Sequence, residues 1–181
     1  LNAGILTFAS LTEHDELRGK AYCYSTFRTV AERKHQEMHG ISRRQAKRQN
    51  LELRFLECPM VDGGTCADEK VLQLLQHLIQ ELEIGRAVYI HCYGGHGRTG
   101  IIACALLCFF LGVSPDEAVL MFNHLHSYRL ECGIGGPGQF PHSDQQLDQL
   151  HRIAKHRGRF ESPLVSLQPA LSTYKLTAPT C

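Results

Sequence analysis

Residues 88–100, VYIHCYGGHGRTG, and the apolar run at 101–111 constrain the fold more than any other part of the chain. The β-branched and aromatic residues before the cysteine predict a strand, and the eleven apolar residues after the loop predict a buried helix. An apolar strand that leads through glycines into a buried helix is typical of a sheet covered by helices. We therefore predict an α/β fold.

The rest of the chain repeats this alternation. Strands are predicted at residues 5–11, 51–57 and 87–90, and helices are expected to begin at three capping sequences, Thr65-x-x-Asp68, Ser114-Pro115 and Ser143-x-x-Gln146. The predicted architecture is a central, mostly parallel (mixed) sheet of four to five strands, flanked by helices on both faces. We expect residues 1–158 to form one domain, with a basic segment at about 28–50, and residues 159–181 to form a C-terminal tail.

Composition narrows the class of protein. A net charge of +1 and 43% hydrophobic residues fit a folded domain rather than a binder of nucleic acid. No apolar run reaches the about 18 residues of a membrane span, and the first ten residues do not resemble a signal peptide. The eight cysteines form no CxxC pair, so we expect no metal site and a reducing compartment, the cytoplasm or alternatively the nucleus.

The basic segment has two interpretations that the sequence leaves open. It holds seven cations against two acids, namely Arg28, Arg33, Lys34, Arg43, Arg44, Lys47 and Arg48 against Glu32 and Glu37. Such a run serves either as a solvated surface, which we favour, or as a docking surface for an acidic or phosphorylated partner.

The glycine-rich loop has the chemistry of an anion site. Glycines let backbone amides approach an oxyanion, and the N-terminus of the following helix favours negative charge. Arg98 adds a planar fork that matches two oxygens of a phosphate. The same surroundings favour the thiolate form of Cys92, which would make it a nucleophile beside the bound phosphate. A nucleotide-binding loop is excluded because the required lysine is missing.

These residues resemble a known signature. Cys92-x5-Arg98-Thr99, preceded by His91 and an apolar strand, is similar to the active-site motif of cysteine-dependent protein tyrosine and dual-specificity phosphatases. The upstream stretch CPMVDGGT resembles the general-acid loop of the kinase-associated phosphatase branch, which also carries a Cys-Tyr-Gly-Gly loop. The resemblance extends from about residue 51 to 157, with a weaker likeness at 5–17.

The resemblance implies a role for each matching residue. Cys92 attacks phosphorus, Asp62 protonates the leaving oxygen, Thr99 stabilises the departing thiolate, and His91 orients the loop. The equatorial oxygens are bound by Arg98 and the backbone of Tyr93, Gly94, Gly95, His96 and Gly97. Asp68 and Glu69 are the alternatives for the acid. The family needs no metal and no other cofactor.

Some positions depart from the family pattern or stay uncertain. Cys66 stands where relatives usually have a proline, and His96 could add positive charge for a highly anionic substrate. Gln146 and Gln149 are candidates for positioning water, and Cys58 is a candidate disulfide partner for oxidised Cys92.

Three functions follow, in order of preference. The first is a phosphatase that hydrolyses phosphotyrosine, phosphoserine or phosphothreonine on proteins through a phosphocysteine intermediate. The second is a phosphoinositide or inositol-phosphate phosphatase, and the third is a phosphate-binding module without turnover. The expected partner is a phosphorylated protein, such as a kinase, or a phosphorylated lipid. We expect a monomer, no membrane span and no nucleic-acid partner.

Overall fold

The structure is a computed structural model that describes residues 4–13, 15–16, 24–40, 43–49, 51–128 and 140–160. Its strands are β1 (Ile5–Ser10), β2 (Arg54–Glu57) and β3 (Ala87–His91). Its helices are α1 (Tyr24–His39), α2 (Arg43–Arg48), α3 (Asp68–Glu83), α4 (Gly97–Leu111), α5 (Pro115–Ser127) and α6 (Asp144–Ala154), followed by a 3₁₀ turn at Arg157–Arg159. The predicted tail lies outside these residues, apart from Arg159 and Phe160.

The sheet is parallel throughout the described residues. Its strand order is β2-β1-β3, so β1 is central, with Phe8 opposite both Phe55 and Tyr89. The predicted α/β class is confirmed, with three strands in the described part against the four to five expected. Because all three strands run in one direction, their carboxyl ends meet at one edge, which is where such sheets bind ligands.

The core lies between the sheet and three helices. The wholly buried members include Leu11 of the sheet edge, Leu75 and Leu78 of α3, Ile101, Ile102 and Ala105 of α4, and Leu150 and Ile153 of α6. Helix α4 is central to this layer and packs against α3, α5 and α6. The predicted buried helix after the glycine loop is therefore confirmed.

Two of the three predicted helix starts are wrong in detail. Ser114 forms the expected capping box with Glu117. Helix α3, however, begins at Asp68, and its N-cap residue Ala67 makes no side-chain cap. Ser143 is the N-cap residue of α6, but its hydroxyl donates to the carbonyl oxygen of Gly63 at 3.0 Å instead of capping the helix. The pattern predicted that the Ser143 oxygen would accept from a nearby amide, whereas the hydroxyl donates to a distant carbonyl.

A buried charge cluster fastens α3 to the sheet. The Glu81 carboxylate accepts hydrogen bonds from the Thr7 hydroxyl at 2.7 Å and from Arg86 at 2.9 Å, and it also pairs with Arg54. Burial raises the pKa of Glu81, but these donors outweigh it, so the net pKa is below its ordinary value of 4.5. The cluster therefore connects the last turn of α3 to β1, to β2 and to the residue before β3.

The basic segment forms helices α1 and α2. Its described cations include Arg28, which pairs with Glu32 at 3.9 Å, and Arg33 and Lys34, which pair with Glu37 at 3.8 and 2.8 Å. These exposed pairs fit the solvated interpretation, whereas the docking interpretation stays a prediction.

Among the described residues, no single helix is both long and apolar enough to cross a membrane. Taken together, α4 and α5, which meet at 118°, pass the same test on length and composition alone.

Candidate active site

The loop after β3 presents Cys92 at the carboxyl edge of the sheet. The backbone amide of Gly95 donates to the Cys92 sulfur at 3.2 Å, and the Thr99 hydroxyl donates to it at the same distance. Gly95 has a φ of 74°, a left-handed conformation that favours glycine and turns its amide toward the sulfur. The sulfur therefore accepts two hydrogen bonds, one from the backbone of the glycine loop and one from the first turn of α4.

Arg98 is the most completely enclosed charge in the site, with only 1% of its surface exposed. Its guanidinium donates to Glu16 through two nitrogens, at 2.6 and 2.8 Å, to Asp62 at 2.8 Å and to the Met60 carbonyl at 3.1 Å. Burial lowers the pKa of Arg98, but Glu16, Cys92 and Asp62 raise it more. The guanidinium is therefore permanently charged and held in one orientation.

Asp62 reaches the glycine loop from the loop that follows β2. Its side chain is 74% exposed although one oxygen contacts Arg98. The turn beneath it is closed by the Gly64 amide, which donates to the Val61 carbonyl at 2.9 Å, and Gly63 adopts a φ of 70°. An exposed carboxyl beside a buried arginine can meet a leaving group that arrives from solvent.

Glu16 is a site residue that the sequence analysis missed. It follows the central strand β1, and its two oxygens bind the two terminal nitrogens of Arg98. The only local signal is an acid in the polar stretch after a strand, and many surface turns contain one. The strand order supplies the missing information, because β1 pairs directly with the strand that carries Cys92.

Helix α6 holds the acid loop through Gln146 and Gln149, and their suggested role in positioning water stays a prediction. Gln146 accepts a hydrogen bond from the His142 amide at 2.9 Å and donates to the Gly64 carbonyl at 3.1 Å. Gln149 donates to the Cys66 carbonyl and to Asp68 at 2.8 Å. Asp68, an alternative for the acid, is also bound by Arg152 at 2.7 Å.

Other residues of the glycine loop lie around the same sulfur. His91 has its Nδ1 3.4 Å from the Cys92 carbonyl oxygen, and burial lowers the pKa of its ring. The His96 ring packs against His126, with centroids 4.6 Å apart, and Tyr93 is 57% exposed. Tyr93, Gly94, His96 and Gly97 belong to the loop as expected, and their binding roles stay predictions.

A cavity of about 430 Å³ opens beside Cys92. Its walls are formed by the end of β3, the glycine loop and α5, and they include Tyr89, His91, Tyr93, Phe122, Leu125 and His126. The cavity is therefore largely aromatic next to the sulfur.

These contacts gather a nucleophile, a fixed cation and an exposed acid. Cys92, Arg98, Asp62 and Thr99 come from two separate stretches of the chain, and hydrogen bonds of 2.8 to 3.2 Å connect Arg98 to Asp62 and Thr99 to Cys92. That set is suited to covalent transfer of a phosphoryl group.

Residues 3–132 match a family model described as Swiss Army Knife protein, DSP-PTPase phosphatase domain. The chain belongs to this phosphatase family. The resemblance stated from the motifs is thereby confirmed, and the enzyme class is that of tyrosine and dual-specificity phosphatases.

Curated relatives agree over a shorter region. A protein of Invertebrate iridescent virus 3 that carries a tyrosine phosphatase name is 37% identical over 79 residues, which are 41% of this chain and 33% of the relative. Cyclin-dependent kinase inhibitor 3 of Mus musculus is 31% identical over 86 residues, which are 39% of this chain and 41% of the relative. The chain thus spans less than half the length of these relatives.

The fold is also that of a solved phosphatase. The crystal structure of kinase associated phosphatase, with a serine in place of its catalytic cysteine, superimposes with a TM-score of 0.55 at 18% identity. The match covers 88% of this chain and 74% of that one. At this identity the likeness shows the fold alone.

Proposed function

We propose that the chain hydrolyses phosphate monoesters on proteins through a phosphocysteine intermediate. The observation that supports this most is the contact between the exposed carboxyl of Asp62 and Arg98, which lies six residues after Cys92 and is held between two carboxylates. A binding module without turnover would not need an exposed acid beside the phosphate site. Phosphotyrosine, phosphoserine and phosphothreonine all fit this chemistry.

In the first step the Cys92 thiolate attacks phosphorus, and the bond to the leaving oxygen breaks. Arg98 and the loop amides stabilise the charge on the equatorial oxygens. Asp62 leaves its contact with Arg98 when the phosphoryl group arrives and donates a proton to the leaving oxygen. The acid must therefore be protonated for this step.

In the second step water attacks the phosphocysteine and the sulfur departs as a thiolate. Asp62, now a carboxylate, accepts a proton from the water. The Thr99 hydroxyl, 3.2 Å from the sulfur, donates to the thiolate as it forms. His91 orients the loop through the contact of its Nδ1 with the Cys92 carbonyl oxygen.

The cavity beside Cys92 favours a protein substrate over an inositol polyphosphate. In the part of the chain that the structure describes, its lining contains no lysine or arginine. Its cations would have to be His91, whose pKa burial lowers, and His126. Several phosphates need fixed positive charge, whereas an aromatic wall suits a peptide or a tyrosine ring.

The test measures phosphate release from phosphotyrosine, phosphoserine and phosphothreonine peptides and from inositol phosphates. We expect release from at least one peptide class, and loss of activity in Cys92→Ser. Asp62→Asn should lower kcat about 10²–10⁴-fold, because a general acid contributes that much. Its matched control is Glu69→Gln, an exposed carboxyl at the start of α3 that should leave kcat unchanged.

Three results would contradict the proposal. Release by Cys92→Ser equal to wild type would remove the nucleophile, and release from inositol phosphates alone would replace the substrate class. Binding of phosphopeptides without any release would point to the non-catalytic module. The partner that this proposal implies is a phosphorylated protein. The compartment we propose is a reducing one, such as the cytoplasm or nucleus.

A further inference from the structure

Two cysteines bracket the loop that carries the acid. Cys58 is the first residue after β2 and is 2% exposed. Cys66 is half-buried and lies two residues before α3. Their sulfurs are 3.7 Å apart, and both are free thiols. Asp62 lies midway between them in sequence.

The sulfurs are close enough to bond after a small movement. A disulfide has an S–S length of about 2.0 Å, so an approach of roughly 1.7 Å from the observed 3.7 Å is required. Among the described residues, the thiol in contact with Cys58 is that of Cys66, and the contacts of Cys92 are with Gly95 and Thr99. The geometry thus offers Cys58 a different partner from the Cys92 that the sequence suggested.

The two thiols differ in reactivity. The hydrogen bond between the two sulfurs lowers the pKa of Cys66, and Lys70 lowers it further against the opposing effect of burial. The pKa of Cys58 is raised, first by that same hydrogen bond and then by burial. Cys66 is therefore the thiolate that would react first, and it is the more exposed of the two.

We propose that Cys58 and Cys66 are a redox site at which a hydroperoxide forms an intrachain disulfide around the acid loop. The inference about activity rests on the proposed function, whereas the inference about the disulfide does not.

The chemistry balances with the hydroperoxide as the only oxidant. The Cys66 thiolate attacks one peroxide oxygen, so that an S–O bond forms, the O–O bond breaks, and hydroxide leaves and takes a proton to become water. The Cys58 sulfur then attacks the Cys66 sulfur, so that the S–S bond forms, the S–O bond breaks and a second water leaves. Two thiols have lost two electrons and two protons to the peroxide.

The disulfide would restrict the movement that substrate binding requires. Asp62 accepts a hydrogen bond from a guanidinium nitrogen of Arg98 at 2.8 Å. A phosphoryl group that binds Arg98 must therefore displace the Asp62 carboxyl. The loop is already fixed at its start by the Met60 amide, which donates to the Leu11 carbonyl at 3.1 Å, and at its end by Gln149. A covalent ring through both ends removes freedom from the segment between them.

Peptide mapping tests the disulfide directly. Trypsin releases residues 55–70 as one peptide that contains Cys58 and Cys66 and no other cysteine, while Cys92 falls in residues 87–98. After treatment with hydrogen peroxide, the 55–70 peptide should lose the mass of two hydrogen atoms and regain it with a reductant. The Cys66→Ser variant should show no such loss, and Cys104→Ala, which removes a buried cysteine outside the loop, should behave like wild type.

Two mapping results would overturn the proposal. One is a 55–70 peptide that remains a dithiol under conditions that oxidise the 87–98 peptide. The other is a cross-link between these two peptides, which would instead make Cys58 the partner of Cys92.

An activity assay tests the consequence. Wild-type protein is oxidised while inorganic phosphate covers Cys92, and the phosphate is then removed. We expect kcat/KM on a phosphopeptide to fall at least about fivefold relative to the reduced protein and to recover with reductant, because loop opening limits substrate entry. Cys66→Ser, compared with its own reduced state, should not respond.

Unchanged kcat/KM in protein that carries the disulfide would overturn the regulatory consequence. The mapping needs no turnover, so a failure of the proposed function would look different. In that case the reduced and oxidised proteins would both be inactive while the disulfide still formed.

Discussion

Replacing Glu16 with glutamine tests whether the carboxylate on Arg98 positions the active site. In the structure each carboxylate oxygen accepts from a different nitrogen of Arg98, at 2.6 and 2.8 Å. Glutamine keeps one acceptor oxygen and turns an NH₂ group toward the second donor. The side chain of Glu16 is 14% exposed and that of Arg98 is 1% exposed, so water replaces little of what is lost.

The magnitude follows from these contacts. A hydrogen bond between charged groups contributes about 1.5–3 kcal/mol, and removing one partner of a fully buried pair costs about 3–5 kcal/mol. Asp62 and the Met60 carbonyl still bind Arg98 in the variant, so we expect the free energy of unfolding to fall by about 2 kcal/mol.

Catalysis should respond mainly in kcat. Loss of the negative charge strengthens the attraction of Arg98 for phosphate, while loss of orientation weakens it, so KM should change little. The transition state is more sensitive to geometry, and we expect kcat to fall about 10–100-fold. Urea unfolding and phosphate release measure the two effects, with Asp15→Asn, an exposed neighbour, as the matched control.

The reasoning would be refuted by a Glu16→Gln variant with wild-type kcat. A variant that lost stability but kept kcat, with KM unchanged, would make Glu16 a structural residue only. The free energy of unfolding of Asp15→Asn should stay within about 0.5 kcal/mol of the wild-type value, as is usual for surface substitutions.

Three further predictions concern the fold and the second step. Glu81→Gln should lower stability by about 2–3 kcal/mol at pH 7, because it leaves the buried Arg86 without its carboxylate. The pKa of Glu81 in the folded protein is below 4.5, so the extra stability of wild type over the variant should be lost as the pH falls below 4.5 toward that lower pKa. Urea unfolding at several pH values measures this loss. Gly100→Ala should cost about 1–3 kcal/mol, because a Cβ there would lie 2.5 Å from the Phe140 ring. Thr99→Ala should slow hydrolysis of the phosphoenzyme about tenfold and produce a burst of the dephosphorylated product, since the Cys92 thiolate departs without its donor.

Each of these predictions has a matched control. For Glu81 the control is Glu69→Gln, which changes an exposed glutamate on the same helix. The stability of this control should show the same pH dependence as that of wild type. For Gly100 it is Gly158→Ala, because a Cβ at Gly158 meets nothing within 4 Å; equal losses at the two positions would contradict the steric argument. For Thr99 it is Thr99→Ser, which keeps the hydroxyl, and a burst in that variant would contradict the role of the donor.

Local sequence patterns predicted the strand, loop and helix around Cys92 because glycine, β-branched and apolar residues act over a few neighbours. The structure connects Arg98 to Asp62 and Thr99 to Cys92, as the resemblance to the phosphatase motifs implied. Glu16 was missed because its role depends on strand order, which no local pattern contains.

The errors in the helix starts have a related cause. Ser143 has the side chain of a capping residue, but its hydroxyl donates to the carbonyl of Gly63, eighty positions earlier, which comes within reach only after folding. The number of strands depends likewise on long-range pairing. Local signals therefore predict which segments form elements, and tertiary contacts decide where their side chains bind.

The central position of β1 sets the span of the catalytic apparatus. Neighbouring strands lie about 4.8 Å apart, so the ends of β2 and β3 are separated by about 10 Å. Asp62 and Cys92 therefore follow two strands that are separated by the central strand β1. Glu16, which comes after β1, binds Arg98, and Arg98 in turn contacts Asp62. If β2 lay on the far side of β3, every motif would remain in the sequence, but the carboxyl ends of β1 and β2 would lie on opposite sides of β3 instead of side by side.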